Sequence, residues 1–308
     1  MQRYILGRLI QAFICIWGIT FIVFILGRLS GDPAMLYAPP DATEEDIKDI
    51  QAQLGLDKPL PTQYWIFLTR AIQGDLGYSF KWQEPAISLV LDKIPATLEL
   101  TSAALVITLI IALPVGIMSA VKRGSLLDTF GRILALLGQS MPTFWAGIML
   151  MLIFAVLFRI LPTSGRGDLS HLVLPALTLG WYPSAAVMRL TRSGMLDVLD
   201  SEYIKMARAK GLPQNMVVLK HALKNASIPV VTLLGLQVAH LFSGAIIIET
   251  IFGWPGMGRL VIQAISTGDF PVVQAGVFLA SITLIFTNLI VDIIYVYLDP
   301  RIRYDQAK

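Results

Sequence analysis

Recurring apolar stretches, mostly 20 or more residues long, limit this chain more than anything else in it. At ~1.5 Å per residue, a helix of about 20 residues matches the ~30 Å hydrocarbon core of a bilayer. The stretches run from Leu9 to Leu29, Leu98 to Val121, Ile133 to Phe158, Leu172 to Met188, Ala226 to Ile248 and Phe270 to Leu298. Inside hydrocarbon every backbone N–H and C=O must bond within its own segment, so each stretch reads as a helix. The fold class expected is an all-α integral membrane protein with six transmembrane helices. Pro142, Pro175 and Pro183 lie inside spans and predict kinks.

The Lys and Arg distribution orients the spans. With the N-terminus in the cytoplasm, inside regions 1–8, 122–132, 189–224 and 299–308 carry fifteen basic residues. The short outside loops 159–171 and 249–271 carry three. Both termini are therefore expected inside. Arg3 and Arg8 precede a first span too long for a signal peptide, so 1–29 reads as an uncleaved signal anchor. Net charge is only +3, which is no nucleic-acid signal. Cys15 is the single cysteine, and His171, His221 and His240 are scattered, so neither a metal site nor a cofactor is expected.

Residues 30–96 form an extracytoplasmic region. Gly31 to Pro95 holds ten acidic and five basic residues. TEEDIKDIQAQL reads as a helix capped by Thr43, with Glu44, Glu45 and Asp46 suiting its N-terminus. A second amphipathic run covers Gln63 to Ile72, and Trp65, Phe67, Tyr78 and Trp82 suit an interface. The region reads as a small helical lid in preference to a substrate site.

The longest polar interruption in the second half is Asp200 to Pro229. Asp200 or Ser201 can cap a helix of about nine residues, Glu202 suits its first turn, and Gly211 and Pro213 stop it. Tyr203, Met206, Ala207 and Lys210 fall on one face at i, i+3, i+4, i+7. Such a helix either docks into a partner or lies solvated on its own chain.

This stretch resembles the cytoplasmic coupling loop of ABC-importer membrane subunits, whose pattern is E-A-A-x-x-x-G, nine residues, then I-x-L-P. Gly211, Ala207 and Leu223 match it. Lys205, Met206, His221 and Lys224 depart from it. YIKMARAKG…HALKNASIPV, the opening MQRYILGRLI…FILGRLSGDPA, and GWPGMGRLVIQAI are similar to the dipeptide/oligopeptide/nickel permease branch. The resemblance implies a multi-pass permease of the bacterial cytoplasmic (inner) membrane, with 97–308 as the permease domain and 200–224 as its ATPase-coupling loop. It implies four further expectations. A homologous second permease subunit completes a heterodimer. Two ABC ATPase subunits dock on Glu202, Tyr203, Met206, Ala207, Lys210 and Gly211. An extracytoplasmic substrate-binding protein faces Trp254, Gly256 and Arg259. Peptides are the cargo, with nickel chelates, glutathione or sugars as alternatives.

Several features are decoys. GWPGMGR has two phosphate-loop glycines, Gly253 and Gly258, but Arg259 replaces the lysine and no Ser or Thr follows. Asn225-Ala-Ser matches a glycosylation acceptor on the wrong side of the membrane. Glu99, Glu249 and Asp292 lie near span ends, where snorkelling or capping accounts for them. No span carries a ladder of midplane charges, which argues against ion-coupled transport. A self-contained channel or secondary transporter is the alternative class. Neutral polar residues such as Thr101, Thr108, Thr178, Ser184, Gln237, Ser243 and Thr283 line a path or join helices.

Overall fold

The computed structural model describes residues 2–29, 34 and 42–298. The expected tail 299–308, most of 30–41 and the Asp292 side chain lie outside the described residues. Among the described residues the chain is helical, and its only β pairing is an isolated bridge between Tyr78 and Pro85. The chain divides into two compact units, Met1–Pro95 with Gly256–Phe286, and Ala96–Pro255 with Thr287–Lys308.

The first unit begins with α1 (Gln2–Leu29), then α2 (Glu44–Leu54), α3 (Leu60–Ile72) and α4 (Ala86–Leu91). It adds α11 (Met257–Ser266) and the first part of α12 (Phe270–Leu298). α2 starts on a capping box. Thr43 accepts from the Asp46 N–H while the Asp46 carboxylate accepts from the Thr43 N–H. Those contacts hold the Asp46 carboxyl below its ordinary range. α3 lies on α1, with Tyr64 edge-on to Phe24 at 5.4 Å and its hydroxyl 2.9 Å from Thr20 Oγ1. Ala71, Leu76, Leu89 and Val90 of the insertion share one apolar core with Leu260, Ala264, Val272 and Ala275. Ser79 Oγ donates to the buried Asp269 carboxylate at 2.5 Å, tying the insertion to the start of α12.

The second unit comprises α5 (Ile94–Val121), α6 (Leu126–Ser140), α7 (Thr143–Leu150) with a π-helical continuation Met151–Leu157, α8 (Leu169–Leu199), α9 (Glu202–Ala209) and α10 (Leu223–Ile251). A π-helical stretch, Val217–Ala222, leads into α10. α8 is the hub. Glycines on its neighbours let backbones approach it, as small residues do between membrane helices. A Cβ at Gly116 would lie 2.8 Å from Met188 O, and one at Gly138 would lie 2.6 Å from Ala185 Cβ.

Among the described residues four helices are long and apolar enough to cross a membrane, or up to five if one bent pair counts as a span. The single span expected over Ile133 to Phe158 is that pair, bent by 112° between Ser140 and Thr143. Met141 is extended (φ −91°, ψ 130°) because Pro142 excludes the α region for the residue before it. Pro175 and Pro183 break nothing: α8 runs through both and extends beyond Met188. α10 and its π-helical lead-in begin well before the expected Ala226.

Candidate functional site

α9 is built as the sequence dictates at one end and differently at the other. Ser201 occupies the N-cap with extended backbone, but its hydroxyl donates to the Val198 carbonyl and caps nothing in α9. Glu202 pairs with Lys205 at 2.7 Å, and both are exposed, so the pair contributes little stability. At the C-terminus Gly211 has φ +75°. Its N–H donates to Arg208 O at 2.9 Å, and the Leu212 N–H donates to Ala207 O at 3.4 Å. These are the two bonds of a Schellman stop, and Leu212 and Ala207 supply its apolar contact. The helix is Glu202–Ala209, with Lys210 as its C-cap.

One face of α9 is bolted to its own chain. Ile204 (0% exposed) and Ala207 (8%) pack with Met195, Leu199, Val217 and Ala222. The expected outward stripe is therefore corrected at Ala207, which points inward. The i, i+3 pair Ile204 and Ala207 forms the inner stripe, and Ile204 is the residue the sequence reading missed. Tyr203 (43% exposed), Met206 (60%) and Lys210 remain outward, flanked by Leu219 (60%) on the next stretch. Asn225 Nδ2 donates to the Tyr203 hydroxyl at 2.8 Å, linking α9 to the first turn of α10. The result is a short rigid helix that offers an aromatic and a thioether outward and is braced against two long helices. It can receive a knob-in-groove contact and pass displacement to α8 and α10.

Trp254, Gly256 and Arg259 are expected together on the surface. Trp254 is 1% exposed, Gly256 is buried at the N-cap of α11, and Arg259 is half-buried. Trp254 turns inward because its indole N–H donates to Ala96 O at 2.8 Å and its backbone N–H donates to Glu249 O at 2.9 Å. Leu100, Leu174, Ile248 and Phe252 surround it. Glu249 neither snorkels nor caps an exposed end: it is 0% exposed and accepts from Thr97 Oγ1 at 2.5 Å. Glu99 is paired outside this core with Arg166, at 2.5 Å and 2.9 Å, and the Arg166 guanidinium lies 5.8 Å from the Trp254 ring centre. The 159–171 loop thus latches onto the 249–254 turn, helped by a bond from Gly165 N–H to Phe252 O. In that loop Asp168 caps α8, and its bonds from Ser170 and His171 lower its carboxyl to about 2.

Several hydroxyls inside the long helices bond within their own helix. Thr101, Thr178, Ser184, Ser243 and Thr283 donate to carbonyls one turn back in their own helix. Thr108 crosses to another helix, at Gly180 O. Gln237 is buried with its carbonyl oxygen unpartnered.

An all-helical chain of membrane-length helices, with a braced helix in the polar stretch between two of them, has the architecture of a membrane permease subunit. Residues 112–304 match the family described as "Binding-protein-dependent transport system inner membrane component", and residues 1–101 match its N-terminal companion family. The chain is 41% identical over 305 residues to the glutathione transport system permease protein GsiC of Salmonella paratyphi A, covering 99% of this chain and 100% of that one. The protein of that name from Escherichia coli K12 is 40% identical over the same length. A crystal structure of an amino acid ABC transporter with histidines shares the fold at TM-score 0.51 and 17% identity, over 70% of this chain and 94% of that one. The chain belongs to the binding-protein-dependent inner membrane component family, in its peptide/oligopeptide/nickel branch. It is the membrane permease component of an ABC importer and a multi-pass protein of the bacterial inner membrane.

Proposed function

We propose that α9 is the element through which ATPase subunits drive this permease, with Glu202, Tyr203, Met206, Lys210 and Gly211 at the contact and Ala207 fixing the helix from behind. The observation that carries this reading is the split of α9 into a buried face, Ile204 and Ala207, and an exposed face, Tyr203 and Met206. The Gly211 stop sets its angle. ATP hydrolysis then belongs to the partners, two ATPase subunits, and this chain pairs with a homologous second permease subunit. Six crossings with both termini in the cytoplasm put α9 on the ATPase side, and the basic-residue distribution supports that topology. The reading keeps 1–29 as an anchor, 30–96 as the extracytoplasmic region and 97–308 as the permease domain.

The cargo proposed is short peptides, glutathione among them, since glutathione is itself a tripeptide and the similar relatives carry that name. The binding protein would land on the exposed acidic first turn of α2. Cross-linking tests the central claim. Met206→Cys in the assembled importer should form a bifunctional cross-link to an ATPase subunit whose yield differs between the ATP-bound and ATP-free states. Ile204→Cys should not. Equal labelling of both positions, or of neither in an active importer, removes α9 from the interface. Competition between labelled glutathione and unlabelled dipeptides for uptake tests the cargo separately.

A further inference from the structure

α3 is apolar on two of its three faces. Its inner face, Tyr64, Phe67 and Ala71 at i, i+3, i+7, packs on α1 and into the core of the insertion. Gln63, Ile66 and Arg70, at the same spacing, line a cleft at the Arg28 end of α1. At about 100° per residue, Pro61, Trp65, Leu68 and Ile72 fall on the side opposite that cleft. Trp65 is 65% exposed and Ile72 79%. Beside this stripe Thr69 satisfies its hydroxyl within the helix, on Trp65 O at 3.1 Å and Ile66 O at 2.9 Å. Arg70 is the one charged residue of α3 and sits on the cleft side.

The level of α3 along α1 decides what the stripe meets. The apolar run of α1 is Leu6–Arg28. The Tyr64 hydroxyl lies 2.9 Å from Thr20 Oγ1, and the Tyr64 and Phe67 rings lie 5.4 Å and 5.8 Å from that of Phe24. At ~1.5 Å per residue, Thr20 is about 12 Å and Phe24 about 6 Å inside Arg28. α3 therefore meets α1 within the run that spans hydrocarbon, near the depth of about 5–10 Å at which in-plane amphipathic helices lie. Phe21 and Ile22 carry the exposed apolar surface onto α1 at that level. The start of α3 also suits surroundings poor in water. A helix start leaves four amide positions without helical partners. Here two of them are Pro59 and Pro61, which have no N–H, and the Thr62 N–H donates to Pro59 O at 2.9 Å. Gln63 Nε2 takes up the Leu56 and Lys58 carbonyls of the preceding turn, at 2.8 Å and 2.7 Å.

We propose that α3 is a membrane-interface helix, with the stripe of Pro61, Trp65, Leu68 and Ile72 set among the acyl chains of the leaflet that α1 leaves at Arg28. The insertion is then anchored in the bilayer and does not stand free in water as a lid. A binding protein arrives through water and does not reach this depth. A second permease subunit is the other apolar occupant, and the test separates it from lipid. The proposal stands whether or not α9 is the coupling helix.

The test is power-saturation electron paramagnetic resonance on the assembled importer in liposomes. Cys15→Ala removes the single cysteine of this chain, and the partner subunits are used without reactive thiols. Nitroxides go on Trp65→Cys and Ile72→Cys, whose side chains are exposed, so the packing of α3 is kept. Oxygen concentrates in hydrocarbon and should relax both labels more than a water-soluble nickel chelate does. A label on Glu45→Cys, in the charged first turn of α2, should show the reverse order, with an oxygen-to-nickel ratio severalfold lower. Nickel-dominated relaxation at either stripe position puts α3 in water and overturns the proposal. Weak relaxation by both reagents means that protein covers the stripe, which overturns it as well.

Discussion

At the residue scale, Gly211 and Trp254 mark the reach of sequence reasoning. Gly211 was legible because a helix stop followed by proline leaves little else for a glycine to do. A Cβ there would meet nothing within 4 Å, so substitution adds no clash and only the backbone resists it. At φ +75° that resistance is about 1 kcal/mol for an ordinary residue and more for a β-branched one. Such a cost does not unfold a membrane protein, but it re-aims an eight-residue helix that is marginal alone. Gly211→Val should therefore insert at normal abundance and lose substrate-stimulated ATP hydrolysis, while Gly211→Asn, which tolerates this geometry, should keep most of it. ATPase assays on the two reconstituted importers decide the matter, and equal activity would show that the backbone angle is irrelevant. Trp254 was expected at the surface because the family resemblance implied that it faces a binding protein. The signal that turns it inward is Ala96 O, 158 residues away, which no local pattern reports. Trp254→Phe keeps the ring packing and strands that carbonyl, so it should lower stability by ~1–3 kcal/mol. Trp254→Ala should cost more, by leaving a cavity. Thermal unfolding in detergent measures both, and an unchanged midpoint for Trp254→Phe would mean that water replaces the indole.

At the element scale, caps and stops were readable and breaks were not. The Thr43–Asp46 capping box is local chemistry, so α2 was found close to its true bounds. Pro142, Pro175 and Pro183 look alike in sequence, yet only Pro142 ends a helix. The difference lies in what the two arms touch. Gly138 on α6 and Gly147 on α7 both close-pack on α8, where Cβ atoms would lie 2.6 Å from Ala185 Cβ and 2.9 Å from Thr178 Cγ2. Ala155, Leu150 and Phe154 beyond the break pack into the core around Leu174 and Phe252. Straightening the pair would strip that arm away for a few new backbone bonds, and in a membrane such packing is the main force between helices. Pro142→Ala should therefore stay bent. Two arms of about 22 Å at this bend put their far ends about 25 Å apart, against about 45 Å for a straight rod. Nitroxides at Leu127→Cys and Leu157→Cys, both exposed, report this by double electron–electron resonance. A shift toward the longer distance would assign the bend to proline alone.

At the scale of the whole molecule, the question is whether a chain with four or five recognisable spans among its described residues crosses six times, as proposed. The helix in doubt is α8. It carries Pro175 and Pro183, and Arg189, Arg192 and Asp197 in its second half, so its mean hydropathy is low for a span. Hydropathy, however, measures what a helix would offer to lipid, and α8 offers little. Leu174, Ala176, Thr178, Leu179, Ala185, Val187, Thr191 and Met195 are among its many buried residues, and they face α5, α6, α7 and α10. A helix wrapped by others need not be apolar in composition, provided its polar groups are bonded. Several are: Thr178 and Ser184 bond their own helix, and Arg192 grips the buried Asp128 at 2.7 Å and 3.0 Å near the end of α8 that leads to α9, while Thr191 Oγ1 and Trp181 Nε1 have no partner. The prediction brackets α8 directly. Alkaline phosphatase fused at Gly165, before α8, should be active, as should fusions near Pro59 and Gly268. Green fluorescent protein fused at Gly211, after it, should fluoresce, as should fusions at Gly124 and the C-terminus. If Gly165 and Gly211 report the same side, α8 does not cross. The chain would then have an odd number of spans, and α9 would share a compartment with the 159–171 loop. The basic-residue count argues against that outcome, since 189–224 carries seven Lys and Arg while 159–171 carries two. A membrane potential negative inside pulls the first set inward, and the α8 polar end follows it.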